Sequence, residues 1–211
     1  MVEDMEMKVI NIVGLPCAGK TLVIAHLIRC FMSIGLKAAA AKLDTLPAED
    51  GIFYDTGFEV ISMKSFCNFI CPGFCCFSTL KDVFKWGKLR KVDVLFIEKA
   101  IFSCSWVPRI NSIPFIIVID NLRGMYSLSK MRCLLRFADT IVITKTDLVC
   151  RTETEILRSK IRLVQPNSQV INFNGLNGKG TLTLKGIIDD FKETDEILEQ
   201  LCCSRTEFAC N

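Results

Sequence analysis

Seven short apolar stretches, most of them rich in β-branched residues, recur along the chain at residues 8–13, 38–43, 58–62, 92–97, 113–119, 140–144 and 169–173. Between most of them, apolar residues return at helical spacing, over 21–34, 80–89, 128–137, 152–163 and 184–201. Strands of this length alternating with amphipathic helices predict an α/β fold of three layers, a mostly parallel central sheet with helices on both faces. Ligands of such sheets bind beyond the carboxyl ends of the strands.

The join between the first strand and the first helix carries the strongest chemical signal. Residues Gly14, Leu15, Pro16, Cys17, Ala18, Gly19, Lys20 and Thr21 form a complete GxxxxGK(S/T) phosphate loop in strand–loop–helix context. Glycines at both ends let the chain wrap a polyphosphate, with backbone N–H groups and the positive helix end facing its oxygens. Lys20 is expected to face ligand rather than core and to reach the outer phosphates, and Thr21 to ligate Mg²⁺. The three layers are therefore expected to be a P-loop NTPase fold.

Composition narrows the setting. The 211 residues, undivided by a linker or repeat, predict a single nucleotide-binding domain over 1–211, with a short mobile tail from about 202. A net charge of +3 with dispersed basic residues argues against a nucleic-acid partner, and no apolar stretch approaches the roughly 20 residues of a membrane span. The acidic start is unlike a signal peptide, so the expected location is the cytoplasm. Twelve cysteines in such a protein are expected to be thiols, with Cys30 and Cys133 as small core residues. Cys67, Cys71, Cys75 and Cys76 cluster as CxxxCPxxCC. Thiolates so close in sequence can converge on one soft metal ion, while Phe66, Phe69, Phe74 and Phe77 make the same segment suitable for plain core.

Three more segments fall at strand ends. The run 94–97 delivers Glu98 to the phosphate side, suited to hold Mg²⁺ or to order a water. Thr144, Lys145 and Asp147 follow the pattern of the guanine-reading NKxD motif, with Thr144 at the Asn position. A carboxylate at Asp147 can accept from both N1–H and the 2-amino group of guanine, with Lys145 along the base plane; a residue near a helix start is the plainer alternative. A glycine-rich turn containing Gly175 and Leu176 follows the last strand, placed to pack backbone against a base or to serve as an ordinary loop.

These motifs together resemble the metallocenter-assembly GTPases of the SIMIBI class, the group of HypB, UreG and CobW. The resemblance rests on residues 14–21, on Leu43-Asp44-Thr45, on Phe96-Ile97-Glu98 and on residues 138–148. It implies that Asp44 and Glu98, with Thr21, lie near Mg²⁺ and the γ-phosphate, and that Lys20, Asp44 and Glu98 serve catalysis. It implies a transition-metal site in the cysteine segment, where Cys71-Pro72 is similar to the nickel-insertion members. Cys75-Cys76 is similar to the Cys-x-Cys-Cys of the cobalamin type, with Phe74 replacing one cysteine.

The expected function is thus a slow, Mg²⁺-dependent GTPase that delivers Zn²⁺, Co²⁺, Ni²⁺ or a metal cofactor to a client metalloenzyme or its assembly factor, with a nucleotide-dependent homodimer implied. Two features depart from the family. Glu98 is followed by Lys99-Ala100-Ile101-Phe102 without the glycine whose N–H senses the γ-phosphate, and the histidine-rich tail of some members is missing, leaving His26 alone and read as structural. Alternatives are a GTP-regulated adapter with little hydrolysis and a small-molecule kinase, for which Arg123, Arg132 and Arg136 are the candidate lid residues. Leu15 stands where partition-type ATPases carry a signature lysine.

Overall fold

The computed structural model describes residues 7–44, 57–64, 72–101 and 113–191, with Asp44, Lys64 and residues 72–78 described by backbone alone. The strands are β1 (Lys8–Gly14), β2 (Ala38–Asp44), β3 (Glu59–Lys64), β4 (Val94–Ala100), β5 (Phe115–Asp120), β6 (Thr140–Thr144) and β7 (Gln169–Asn172). The helices among the described residues are α1 (Lys20–Met32), α2 (Pro72–Leu89), α3 (Gly124–Leu135), α4 (Arg151–Val164) and α5 (Thr181–Asp190). The strands form one sheet in the order β3-β2-β4-β1-β5-β6-β7, and the registered pairs are parallel throughout. The protein is a three-layer α/β P-loop fold, as the alternation of patterns predicts.

Alternation within each strand assigns the two faces. Ile10 and Ile12 of β1, Phe96 of β4, Val118 of β5 and Val142 of β6 pack with Ile24, Ile28 and Phe31 of α1 and with Leu184 and Ile188 of α5. Their neighbours in sequence face the other way. Val13, Ile117, Ile119, Ile141 and Ile143 meet α3 and α4, while Val9, Ala39, Ala41, Leu95 and Ile97 meet Leu80, Val83 and Phe84 of α2. Because the central strands are covered on both sides, they read as largely apolar runs, and Glu98, Asp120 and Thr144, which follow the runs of β4, β5 and β6, mark the rim where chemistry can occur.

Helix boundaries differ from the sequence expectation chiefly at the end of α5, which stops at Asp190 with Phe191 extended where the pattern runs on to 201, and at the start of α2. The second helix begins at Pro72, ahead of the periodic stretch at 80–89; proline suits a first helical turn, and Gly73 falls in that same turn rather than in the helix interior. No helix among the described residues is long and apolar enough to cross a membrane.

Candidate functional site

The site grows from Gly14, whose place in the sheet leaves no room for a side chain. It is registered with Ala100 of β4 and Val118 of β5, and a Cβ there would come within 2.6 Å of the Val118 carbonyl oxygen. The loop that follows turns through left-handed backbone at Cys17 (φ 61°) and Gly19 (φ 89°), the latter acting as the N-cap of α1 without a side-chain cap. The first turn of α1 has no acidic residue, so its positive end is left for an anion.

Two functional groups start that helix and meet the end of β4. Lys20 Nζ donates to the Leu15 carbonyl at 3.0 Å and lies 4.0 Å from Glu98 Oε1, both side chains being 4% exposed. Lys20 is thus folded beneath the loop, where a buried ammonium needs acceptors and the loop carbonyl and Glu98 supply them. The Thr21 hydroxyl donates toward the Glu98 carboxylate, 3.0 Å from Oε1 and 3.1 Å from Oε2. Glu98 reaches it because the residue is registered with Ile12 and Lys42 and, two past Phe96, faces α1. A hydroxyl beside a carboxylate is a hard-oxygen donor set that fits Mg²⁺. Asp44 ends β2, two residues beyond the register partner of Glu98; its side chain lies outside the described atoms.

The second half of the site lies at the ends of β5, β6 and β7. The Thr144 hydroxyl, buried, donates to the Ala18 carbonyl at 2.6 Å and lies 3.2 Å from the Ile119 carbonyl. Lys145 follows with φ 57°, and its Nζ donates to Asp120 Oδ2 at 2.8 Å. Asp147 is exposed at the rim. Beyond β7, the Asn174 side chain shapes the glycine-rich turn by accepting from the N–H groups of Leu176 at 2.8 Å and Asn177 at 3.2 Å. Leu176 is 82% exposed. His26 Nε2 lies 2.9 Å from the Gly175 carbonyl, which can only accept, so that nitrogen carries the hydrogen; the ring also sits edge-on to Phe173.

Two of these residues were not singled out for the site by the sequence reading. Asp120 ends β5 as Glu98 ends β4, so an acid closing an apolar strand was the available signal. His26, read as structural, ties α1 to the glycine-rich turn, and nothing in the sequence places it opposite Gly175. The cysteine segment falls only partly within the described residues: Cys75 and Cys76 lie in the first turns of α2, while Cys67 and Cys71 lie outside them. Among the described residues no cluster of His, Cys, Asp and Glu could hold a metal ion. Cys17, Cys30 and Cys150 are free, Cys30 only partly buried, and Cys133 is disulfide-bonded, which departs from the thiol expected there.

The comparison that decides the family covers most of this geometry. The family model "CobW/HypB/UreG, nucleotide-binding domain" matches residues 8–172, from β1 through β7. The chain belongs to the CobW/HypB/UreG family. Within that family's reach, an uncharacterized protein of Methanocaldococcus jannaschii is 31% identical over 192 residues, 90% of this chain and 81% of that protein. The fold is shared with the hydrogenase maturation factor HypB of Archaeoglobus fulgidus at a TM-score of 0.67 and 22% identity, over 86% of this chain and 90% of that one. It is shared equally with HypB of Helicobacter pylori, solved in complex with nickel, at a TM-score of 0.67 and 17% identity, over 94% and 88% of the two chains. As a CobW/HypB/UreG nucleotide-binding domain, the chain has its phosphate loop where the fold requires it.

Proposed function

We propose that this chain is a Mg²⁺-dependent GTPase that loads and delivers a transition metal, or a metal cofactor, to a client metalloenzyme or its assembly factor. The observation that carries the reading is the meeting of Lys20, Thr21 and Glu98 under the phosphate loop, with Thr144 fastening the NKxD-like segment to the same loop. Phosphate and base ends of a nucleotide are thereby served by one frame. In this reading Lys20 neutralises phosphate charge. Thr21 and Glu98, with Asp44, hold Mg²⁺, which supplies charge neutralisation of the phosphates when bound. Asp147 selects guanine, and Gly175 and Leu176 offer backbone to the base.

The metal-delivery half draws support from family membership and from a HypB neighbour solved with nickel. Cys71, Cys75 and Cys76, with Cys67, are its proposed cargo ligands, and a nucleotide-dependent homodimer is its proposed working state. Turnover of GTP with Mg²⁺, measured with and without Zn²⁺, Co²⁺ and Ni²⁺, tests it. Metal-independent behaviour in both binding and turnover would sink the delivery role.

One observation favours a second reading, a GTP-regulated adapter that hydrolyses little. After Glu98 the chain does not leave the sheet: Ala100 is registered with Gly14, and the Ile101 N–H donates to the Gly14 carbonyl at 3.0 Å. An amide so engaged is not available to sense a γ-phosphate. GTP binding with turnover no faster than free GTP in buffer would select the adapter. The kinase alternative is weakened because Arg123 lies 3.8 Å from Asp120 and Arg136 stacks over Phe137 at 4.8 Å.

A further inference from the structure

We propose that Asp120 sets the guanine affinity of this site by fixing Lys145, a positioning role that rests on the guanine-binding reading above. Asp120 is the last residue of β5, registered with Thr144 of β6, and its side chain is 1% exposed. Each carboxylate oxygen has its own partner. Oδ1 accepts the Leu122 N–H at 2.9 Å, which holds the turn after β5, and Oδ2 accepts Lys145 Nζ at 2.8 Å with Arg123 Nε 3.8 Å away. The turn itself is tied down, since the Asn121 N–H donates to the Thr144 carbonyl at 3.2 Å and the Asn121 side chain donates to Thr154 at 2.9 Å.

The consequence falls on the lysine stem. Lys145 sits between Thr144, which is locked to the phosphate loop, and Asp147, the proposed reader of the base edge. A free lysine loses much rotamer freedom when a ligand packs along its methylene groups. With its ammonium anchored on a buried carboxylate, that ordering is complete before the base arrives, and the stem stands as a preformed apolar wall beside Asp147. Pre-ordering of one such side chain corresponds to roughly 2- to 12-fold in affinity. Asp120 touches no nucleotide in this account; it acts through Lys145.

The experiment titrates GDP, ADP and inorganic pyrophosphate into the wild type, Asp120→Asn, Lys145→Met and the double variant, with thermal melts alongside. Asp120→Asn is expected to weaken GDP by roughly 2- to 12-fold and leave pyrophosphate unchanged. In the Lys145→Met background it is expected to add nothing, because the group it positions is already gone. Unchanged GDP affinity, losses that add in the double variant, or an equal loss for pyrophosphate would each overturn the proposal. If Asp120→Asn fails to fold, Lys145→Met decides alone: it keeps the stem but not the anchor, so GDP affinity equal to wild type defeats the inference. Wild type binding ADP as tightly as GDP would instead defeat the guanine reading itself.

Discussion

The Thr144 hydroxyl and the Ala18 carbonyl, 126 residues apart in sequence, are joined by a 2.6 Å hydrogen bond in the buried floor of the site. A hydroxyl has one hydrogen to give, and the shorter contact claims it over Ile119 at 3.2 Å. Thr144→Val keeps the shape and removes the donor, leaving the Ala18 carbonyl short of a partner. The expected cost is about 1–3 kcal/mol of stability, with faster nucleotide release. Denaturant midpoints and a displacement assay with fluorescent GDP measure the two effects; an unchanged release rate would sever the proposed link between base and phosphate ends.

Lys20 is buried as well as proposed to bind phosphate, and its variants separate the two roles. Lys20→Ala is expected to abolish triphosphate binding. It should also destabilise the fold by about 1–3 kcal/mol, since the Leu15 carbonyl and Glu98 lose a partner. Lys20→Met restores the apolar stem and should recover part of the stability but none of the binding. Normal GTP turnover by either variant would remove the phosphate-loop mechanism.

Asp147→Asn exchanges a double acceptor for an amide with one acceptor and one donor group. GTP should weaken by roughly 10- to 100-fold, the worth of a charge-assisted bond, while xanthosine triphosphate gains. Competition titration with the two nucleotides decides it, and parallel losses for both would point to damage of the turn rather than lost base reading.

Glu98→Gln keeps an oxygen for the Thr21 hydroxyl and removes the charge. The Mg²⁺ concentration needed for tight GTP binding should rise by roughly 10- to 100-fold, with Mg²⁺-free binding spared. A Mg²⁺ titration unmoved by the change would take Glu98 out of the cation site.

The cargo site is tested by replacing Cys71, Cys75 and Cys76 together with Ser, whose hydroxyl stays protonated near neutral pH and is a poor soft-metal ligand. Anaerobic titration of Zn²⁺, Co²⁺ and Ni²⁺ should show a lower stoichiometry than wild type. Linkage requires that any gain in metal affinity on exchanging GDP for a GTP analogue be matched by the same metal-induced gain in the preference for the analogue over GDP, by roughly 5- to 150-fold for an ordinary switch. Unchanged stoichiometry would return these cysteines to the core.

The central strands were legible because they are buried on both faces and so appear as apolar runs such as Phe115–Ile119, which is followed by Asp120 at the rim. The same periodicity that predicts the helix at 80–89 is silent over residues 72–78, where Phe74-Cys75-Cys76-Phe77 offers no polar position and only backbone geometry marks the helix. The phosphate loop was legible from eight adjacent residues. What stayed hidden depends on contacts between segments distant in sequence: that Asp120 takes the ammonium of Lys145, and that His26 meets Gly175. Local spacing carries no information about such pairs, since the first is fixed only when the parallel register of β5 and β6 brings their ends side by side, and the second only when α1 packs on the sheet.

The bond from His26 to the Gly175 carbonyl gives α1 a second duty. The helix begins under the phosphates with Lys20 and Thr21 and, less than two turns on, grips the turn proposed to cradle the base. It therefore works as a caliper whose jaws are set by a rigid rod. In the proposed reading, the distance between the phosphate and base ends of the nucleotide is set by that length of helix.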